Sequence, residues 1–179
     1  MRLHRTVLAA AATAVTCLAP AAPALAAHCP RADELPGRMS VTEVRHATLC
    51  LINAERRQRG LAPLRQERRL AVAGVRHARD MVRANYFAHD SRSGRAFSQR
   101  ILRTGYGRGR RATLGENLAW GTGSLAAPRR IVRGWMASPG HRANILNGTF
   151  REIGIAVVAG TPQTGNDGAT YATEFGRRF

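Results

Sequence analysis

The hydrophobic period of this chain changes once, close to residue 150, and that change limits the folds open to it. Before it, apolar residues return every three to four positions. Val44, Ala47, Leu51 and Ile52 form one stripe; Ala71, Val75, Ala78 and Val82 form another, with Leu70, Gly74, His77 and Met81 beside it. After it come two short β-type runs, "EIGIAVVAG" and "ATYATEFG", separated by "TPQTGNDG", whose Asn166-Asp167-Gly168 is turn chemistry. Helices come first and a strand pair closes the chain. The class this predicts is α+β, with helices packed around a small antiparallel sheet.

The boundaries follow from caps and breakers. Ser40, with Glu43 three residues on, has capping-box spacing and starts a helix that runs to about Gln58 and ends at Gly60. A second helix covers about Glu67 to Ala84. "AFSQRILRTGY" is a third, ended by Gly105, and Ala127 to Ala137 a fourth, with Ile131, Val132 and Trp135 inward and Pro139 as its stop. "HRANIL" has room for one further turn. "LAPLRQ" reads as a turn with a short extended piece, "NYFAHDSRSGR" as loop and "GENLAWGTG" as irregular backbone. The 179 residues suit one domain, and no internal repeat is visible.

Residues 1–26 have the form of a secretory signal peptide: Arg2 and Arg5, an apolar run from Val7 to Leu18, then the small-x-small pattern Ala24-Leu25-Ala26. No later segment is apolar enough to span a bilayer, and His28 before Cys29 argues against a lipid anchor. The expected organisation is leader 1–26, N-terminal arm 27–40 and domain 41–179, in a secreted, extracellular, monomeric protein. Cleavage would remove Cys17 and leave Cys29 and Cys50, a pair that reads as one disulfide in an exported chain. The alternative is that Cys50, inside "TLCLINA", is a buried thiol.

All 28 basic residues are arginine, and loss of Arg2 and Arg5 with the leader lowers the net charge from +17 to +15. Such a field suits anionic lipid or a cell-envelope polymer as partner. The arginines of "RRQRG", "RQERR" and "APRRIVR" are spread as solvated helix faces would be. "GYGRGRR", although it has the look of an RNA-binding tract, reads in an exported chain as a flexible basic loop, with no nucleic acid as partner.

Few side chains remain for chemistry. His28 and His46 lie in polar surroundings, and His77 sits on the apolar edge of the second helix as a hydrogen-bonded core residue would. His89 in "YFAHDS" and His141 in "SPGHRAN" occupy positions just past a helix, where functional groups concentrate. Glu116, in "LGENLAWG", follows a glycine that permits close approach. Two imidazoles and a carboxylate can bind a divalent metal, with Glu116 as third ligand or as acceptor for an imidazole N–H, or they can move protons near neutral pH.

"LINAERRQRGLAPL", "ARDMVRANYFAHDS", "GENLAWG", "WMASPGHRANILNGTFREIGIAV" and "YATEFG", in this order, resemble the bacterial branch of the CAP superfamily, the SCP-domain proteins related to cysteine-rich secretory proteins, venom antigen 5 and plant pathogenesis-related 1. The resemblance spans about Leu49 to Phe179. It implies an α-β-α sandwich and a cleft lined by two histidines and two glutamates. Carried over, these fall on His89, Glu116 and His141. The second glutamate does not transfer, since three residues past Trp135 stands Ser138; Glu152 and Glu174 are candidates to replace it. The metal set expected is His89, His141 and Glu116, holding zinc or another divalent cation weakly.

The reading is a secreted binding module with a His/Glu cleft for a divalent metal and/or a lipid or envelope ligand. One alternative is a metal-assisted hydrolase of peptide or cell-wall substrate, with His89, Glu116 and His141 as catalytic candidates. Another is a structural or interaction protein with no active cleft. Ser138 is the hydroxyl nearest His141 in sequence, and there is no G-x-S-x-G elbow.

Overall fold

The structure is a computed structural model that describes residues 28–163 and 165–179, so the leader expected over residues 1–26 lies outside the described residues. A single 3-10 turn, Pro36–Arg38, precedes α1 (Val41–Arg57), whose N-cap Ser40 forms the full capping box with Glu43. The short strand β1 (Arg65–Gln66) leads into α2 (Arg68–Arg83), capped by the Glu67 carboxylate, which accepts the Leu70 N–H. Then come α3 (Phe97–Leu102), β2 (Ala112–Gly121), a 3-10 turn at Gly123–Ala126, α4 (Pro128–Ala137) and α5 (Pro139–Ile145). A hairpin, β3 (Glu152–Thr161) and β4 (Gly165–Arg178), closes the chain.

The strands form one sheet in the order β1-β3-β4-β2, antiparallel except for β1, which runs parallel to β3. Its two faces divide the core. Odd-numbered residues of the hairpin, Ile153, Ile155, Val157, Tyr171 and Phe175, pack with Val44 and Ile52 of α1, Trp135 of α4 and Ile145 of α5. Even-numbered Ala156 and Ala172 pack with Leu118 against Ala78 and Met81 of α2. Helices thus cover both faces, the α-β-α sandwich that the resemblance implied. The alternation of strand side chains assigns every residue of β2 and β4 to one layer or the other. A Cβ at Gly154 would fall 2.0 Å from the Ala71 N, so only glycine lets α2 lie this close on β3.

The arm is stapled to the first helix by a disulfide between Cys29 and Cys50, whose Cα atoms are 5.7 Å apart. Among the described residues, no helix is long and apolar enough to cross a membrane.

Four local expectations are corrected. "GENLAWG" is not irregular; it is a strand, paired with β4 from Ala112↔Arg178 to Gly121↔Ala169. Asn166-Asp167-Gly168 is not the hairpin turn. The strands pair Thr161 with Gly165 and Ala159 with Ala169, so residues 166–168 form a bulge in β4 opposite a single residue of β3. His141 is not in a loop just past a helix: Pro139, which stops α4 as read, also opens α5 at its first position, where its missing N–H costs nothing, and His141 lies inside that helix. Finally, Arg56 of "ERRQRG" is not part of a solvated face. It is fully buried, and its guanidinium donates to the carbonyls of Ala62, Ile145, Asn147 and Phe150, tying α1 to the segment after α5.

Candidate functional site

β2 is an edge strand, hydrogen-bonded only to β4, and the side chains of interest reach it from both layers. Glu116 lies on the α2 face, on the same side as Leu118 and directly opposite Glu174 of β4. Asn117 lies on the other face, under α5.

His89 belongs to the loop that follows α2. Backbone and side-chain bonds fix that loop: the Tyr86 N–H donates to the Met81 carbonyl, His77 Nε2–H to the Ala88 carbonyl at 2.8 Å, and Arg100 Nη1 to the carbonyl of His89 itself at 2.6 Å. The ring of His89 then donates through Nδ1 to Glu116 Oε1 at 2.7 Å. The second oxygen of Glu116 accepts from Arg100 Nη2 of α3 at 2.5 Å. Each oxygen of Glu116 thus accepts a charge-assisted bond, and its side chain is 0% exposed, whereas that of His89 is 53% exposed. Of the two roles expected for Glu116, ligand or acceptor of an imidazole N–H, these bonds fill the second.

His141 arrives from the opposite layer. Asn117 Nδ2 donates to the His141 carbonyl at 3.0 Å, and Asn144 Nδ2 donates to the Glu116 carbonyl at 3.1 Å and to Asn117 Oδ1 at 2.9 Å. This amide lattice sets α5 on the backbone of β2. Gly115 makes it possible, because a Cβ there would lie 2.9 Å from the Phe150 ring and 3.0 Å from Asn144 Oδ1.

The electrostatics follow from these contacts. The hydrogen bond to Glu116 raises the His89 pKa above its ordinary value, against the opposing effect of burial. Burial, and then the charge of His89, lower that of His141. Burial lowers His77, as for the neutral, hydrogen-bonded core residue read from the sequence.

Burial alone would raise Glu116, but the His89 hydrogen bond and the Arg100 charge outweigh it and hold the carboxyl below the ordinary range. Glu174 goes the other way. Fully buried and directly opposite Glu116, it is pushed well above the ordinary range by burial and then by the Glu116 charge. Apart from Glu116, its oxygens meet no hydrogen-bonding partner among the described residues. A neutral Glu174 can donate its one O–H to an ionised Glu116, which removes the repulsion between the two carboxyls.

The structure thus joins His89 to Glu116 by a hydrogen bond, carries His141 on α5 at the other face of β2, and sets Glu174 directly opposite Glu116 as a second acid. Glu152 lies elsewhere, paired with Arg178. Arg100, Asn117 and Asn144 were not found from the sequence; an arginine inside a short helix and two asparagines near a turn carry no motif. Among the described residues, no three His, Cys, Asp or Glu side chains converge to hold one ion. Ser138 is the residue shared by the end of α4 and the start of α5.

The sequence profile of the cysteine-rich secretory protein family, CAP, matches residues 49–173. The Bacillus subtilis (strain 168) protein YkwD is 37% identical over 120 residues, 66% of this chain and 44% of that protein. The B. subtilis (strain 168) membrane protein YlbC is 34% identical over 109 residues, 61% and 30% of the two chains. The chain therefore spans less than half the length of either relative. Among solved structures, an extracellular SCP-domain protein from Bacillus anthracis str. Ames superposes with a TM-score of 0.58 at 26% identity, over 76% of this chain and 43% of that one. An outer surface protein from Borrelia burgdorferi superposes with a TM-score of 0.67 at 21% identity, over 79% and 97%, a likeness of fold.

Proposed function

The chain belongs to the CAP family of cysteine-rich secretory proteins, and from that premise we propose that it is an exported binding module whose cleft takes up a divalent cation of the zinc type between the rings of His89 and His141. The observation that carries this reading is the 2.7 Å bond from His89 Nδ1 to Glu116. It fixes the tautomer, leaving Nε2 as a lone-pair donor on a half-exposed ring, the arrangement by which a carboxylate behind a histidine prepares it for metal.

The division of labour is as follows. Arg100 keeps Glu116 ionised, Glu116 orients His89, and the Asn117–Asn144 lattice holds the His141 backbone at the edge of β2. Two imidazoles make a weaker site than the four-ligand set of a structural zinc site. When bound, the cation would supply open coordination positions for an oxygen of an anionic lipid or envelope polymer. Export is supported by the leader-like residues 1–26, the Cys29–Cys50 bond and the extracellular description of one structural relative.

The test is calorimetric titration of the leader-free protein with zinc chloride. Saturable binding is expected, and it is lost in both His89→Ala and His141→Ala while circular dichroism shows that both metal-free variants remain folded. A wild type that shows no saturable zinc binding removes the reading.

A further inference from the structure

The basic tract "GYGRGRR" has no part in the cleft, yet the fold gives it a definite shape. Gly105, Gly107 and Gly109 all adopt positive φ, at 84°, 74° and 73°. These left-handed residues, which glycine alone adopts without strain, wind the segment into successive turns closed by Arg108 N–H to the Gly105 carbonyl and Arg110 N–H to the Gly107 carbonyl. Tyr106 anchors the coil. It is 1% exposed, and its hydroxyl donates to Glu152 Oε2 at 2.6 Å. The tract is thus a folded element of the surface.

It forms one wall of a pocket of about 520 Å³ at the end of the sheet. Arg108 and Arg110 line it from the coil, Arg65 from β1, Arg69 from the first turn of α2, and Arg177 and Arg178 from the end of β4. Arg151, just before β3, completes the lining. The one acid there, Glu152, is neutralised inside the wall by Arg178 and Tyr106, which outweigh burial and hold its carboxyl below the ordinary range. Arg65, Arg69, Arg108, Arg110 and Arg177 have no carboxylate partner among the described residues. Five guanidiniums converging on one concavity without counter-ions repel one another, and a ligand with several negative charges relieves that repulsion.

We infer that this arginine pocket, which shares no residue with the His89–His141 cleft, binds a phosphate-bearing chain: several phosphate groups in succession, each taken by the fork of a guanidinium. The chemistry favours phosphate over isolated carboxylates, since planar guanidinium donors pair bidentately with phosphate oxygens and a linear polyanion engages several at once. The volume lies in the range of ligand-sized pockets, about 300–1,000 Å³. The site does not depend on the metal-binding reading of the cleft.

Inorganic tripolyphosphate is the probe, titrated calorimetrically into the leader-free protein at low ionic strength and again with added salt. One variant carries Arg65→Gln, Arg108→Gln and Arg110→Gln, all exposed positions; a charge-matched control carries Arg57→Gln, Arg130→Gln and Arg133→Gln on α1 and α4. The expected result is saturable binding that weakens with salt, falls about tenfold or more in the pocket variant and stays within about threefold in the control. Equal losses in both variants would mean that overall charge is responsible and overturn the site, as would an absence of saturable binding in the wild type. A parallel arm uses phosphatidylglycerol vesicles. Vesicle binding that requires the pocket arginines while tripolyphosphate does not bind overturns the assignment to a phosphate chain.

Discussion

Glu116 and Glu174 occupy directly paired positions on β2 and β4, and their carboxyls meet on the α2 face of the sheet, with both side chains shut away from solvent. Two ionised carboxylates cannot share such a place. His89 and Arg100 both attend to Glu116, so the charge resides there and Glu174 keeps its proton.

Glu174→Gln should therefore be tolerated, because an amide can donate to Glu116 as the neutral acid does. A carboxyl whose folded pKa is raised contributes stability below its unfolded value, about 4.5, and loses it as pH rises toward the folded value. The variant should match the wild type in acid and exceed it increasingly above that range, which urea unfolding at a series of pH values would reveal. A wild type whose advantage grows with pH contradicts a protonated Glu174.

The two cleft histidines should titrate on opposite sides of 6.5, His89 above and His141 below. His89 then adds stability that is complete below the unfolded value and disappears as pH rises through its folded one; His141 subtracts stability as pH falls through its own. Proton NMR of the ring signals checks the order. In Glu116→Gln the His89 value should drop toward or below 6.5, and the loss of the partner of a nearly buried Arg100 should cost about 3 kcal/mol.

Arg56→Met should be among the most damaging single changes, by about 3 kcal/mol or more in denaturant unfolding, although the residue forms no ion pair among the described residues. Four carbonyls on three different segments lose their donor, and the space left is closed to water. A loss below about 1 kcal/mol would show that the carbonyls find other donors.

Reduction of Cys29–Cys50 should lower stability by about 3 kcal/mol, the loop-closure value for a crosslink between residues 21 apart, measured by comparing urea midpoints with and without reductant. Near-equal midpoints would mean that the arm's other contacts, such as Arg129 with Asp33, already hold it in place.

What the sequence disclosed follows physical lines. The helices were legible because Ser40–Glu43, Gly60 and the periodic apolar stripes speak locally, and the closing hairpin because "EIGIAVVAG" has the look of a buried strand. β2 was not, because the strand that carries the cleft spends its inward positions on Glu116 and Asn117 rather than on valine or isoleucine, and its glycines mimic a loop. The charge surrounding Arg56 in sequence concealed its burial. Glu174 could be named as a replacement acid, but its role depends on a cross-strand register that only the folded ladder sets.

The two imidazoles ride on different layers of the sandwich, one on the loop leaving α2 and the other on α5. Whatever grips both rings at once acts as a clasp, fastening one half of the molecule to the other. Occupancy would then be felt far from the cleft, as slower opening of the whole sandwich, and mechanical tightness would become a report on what the surroundings supply.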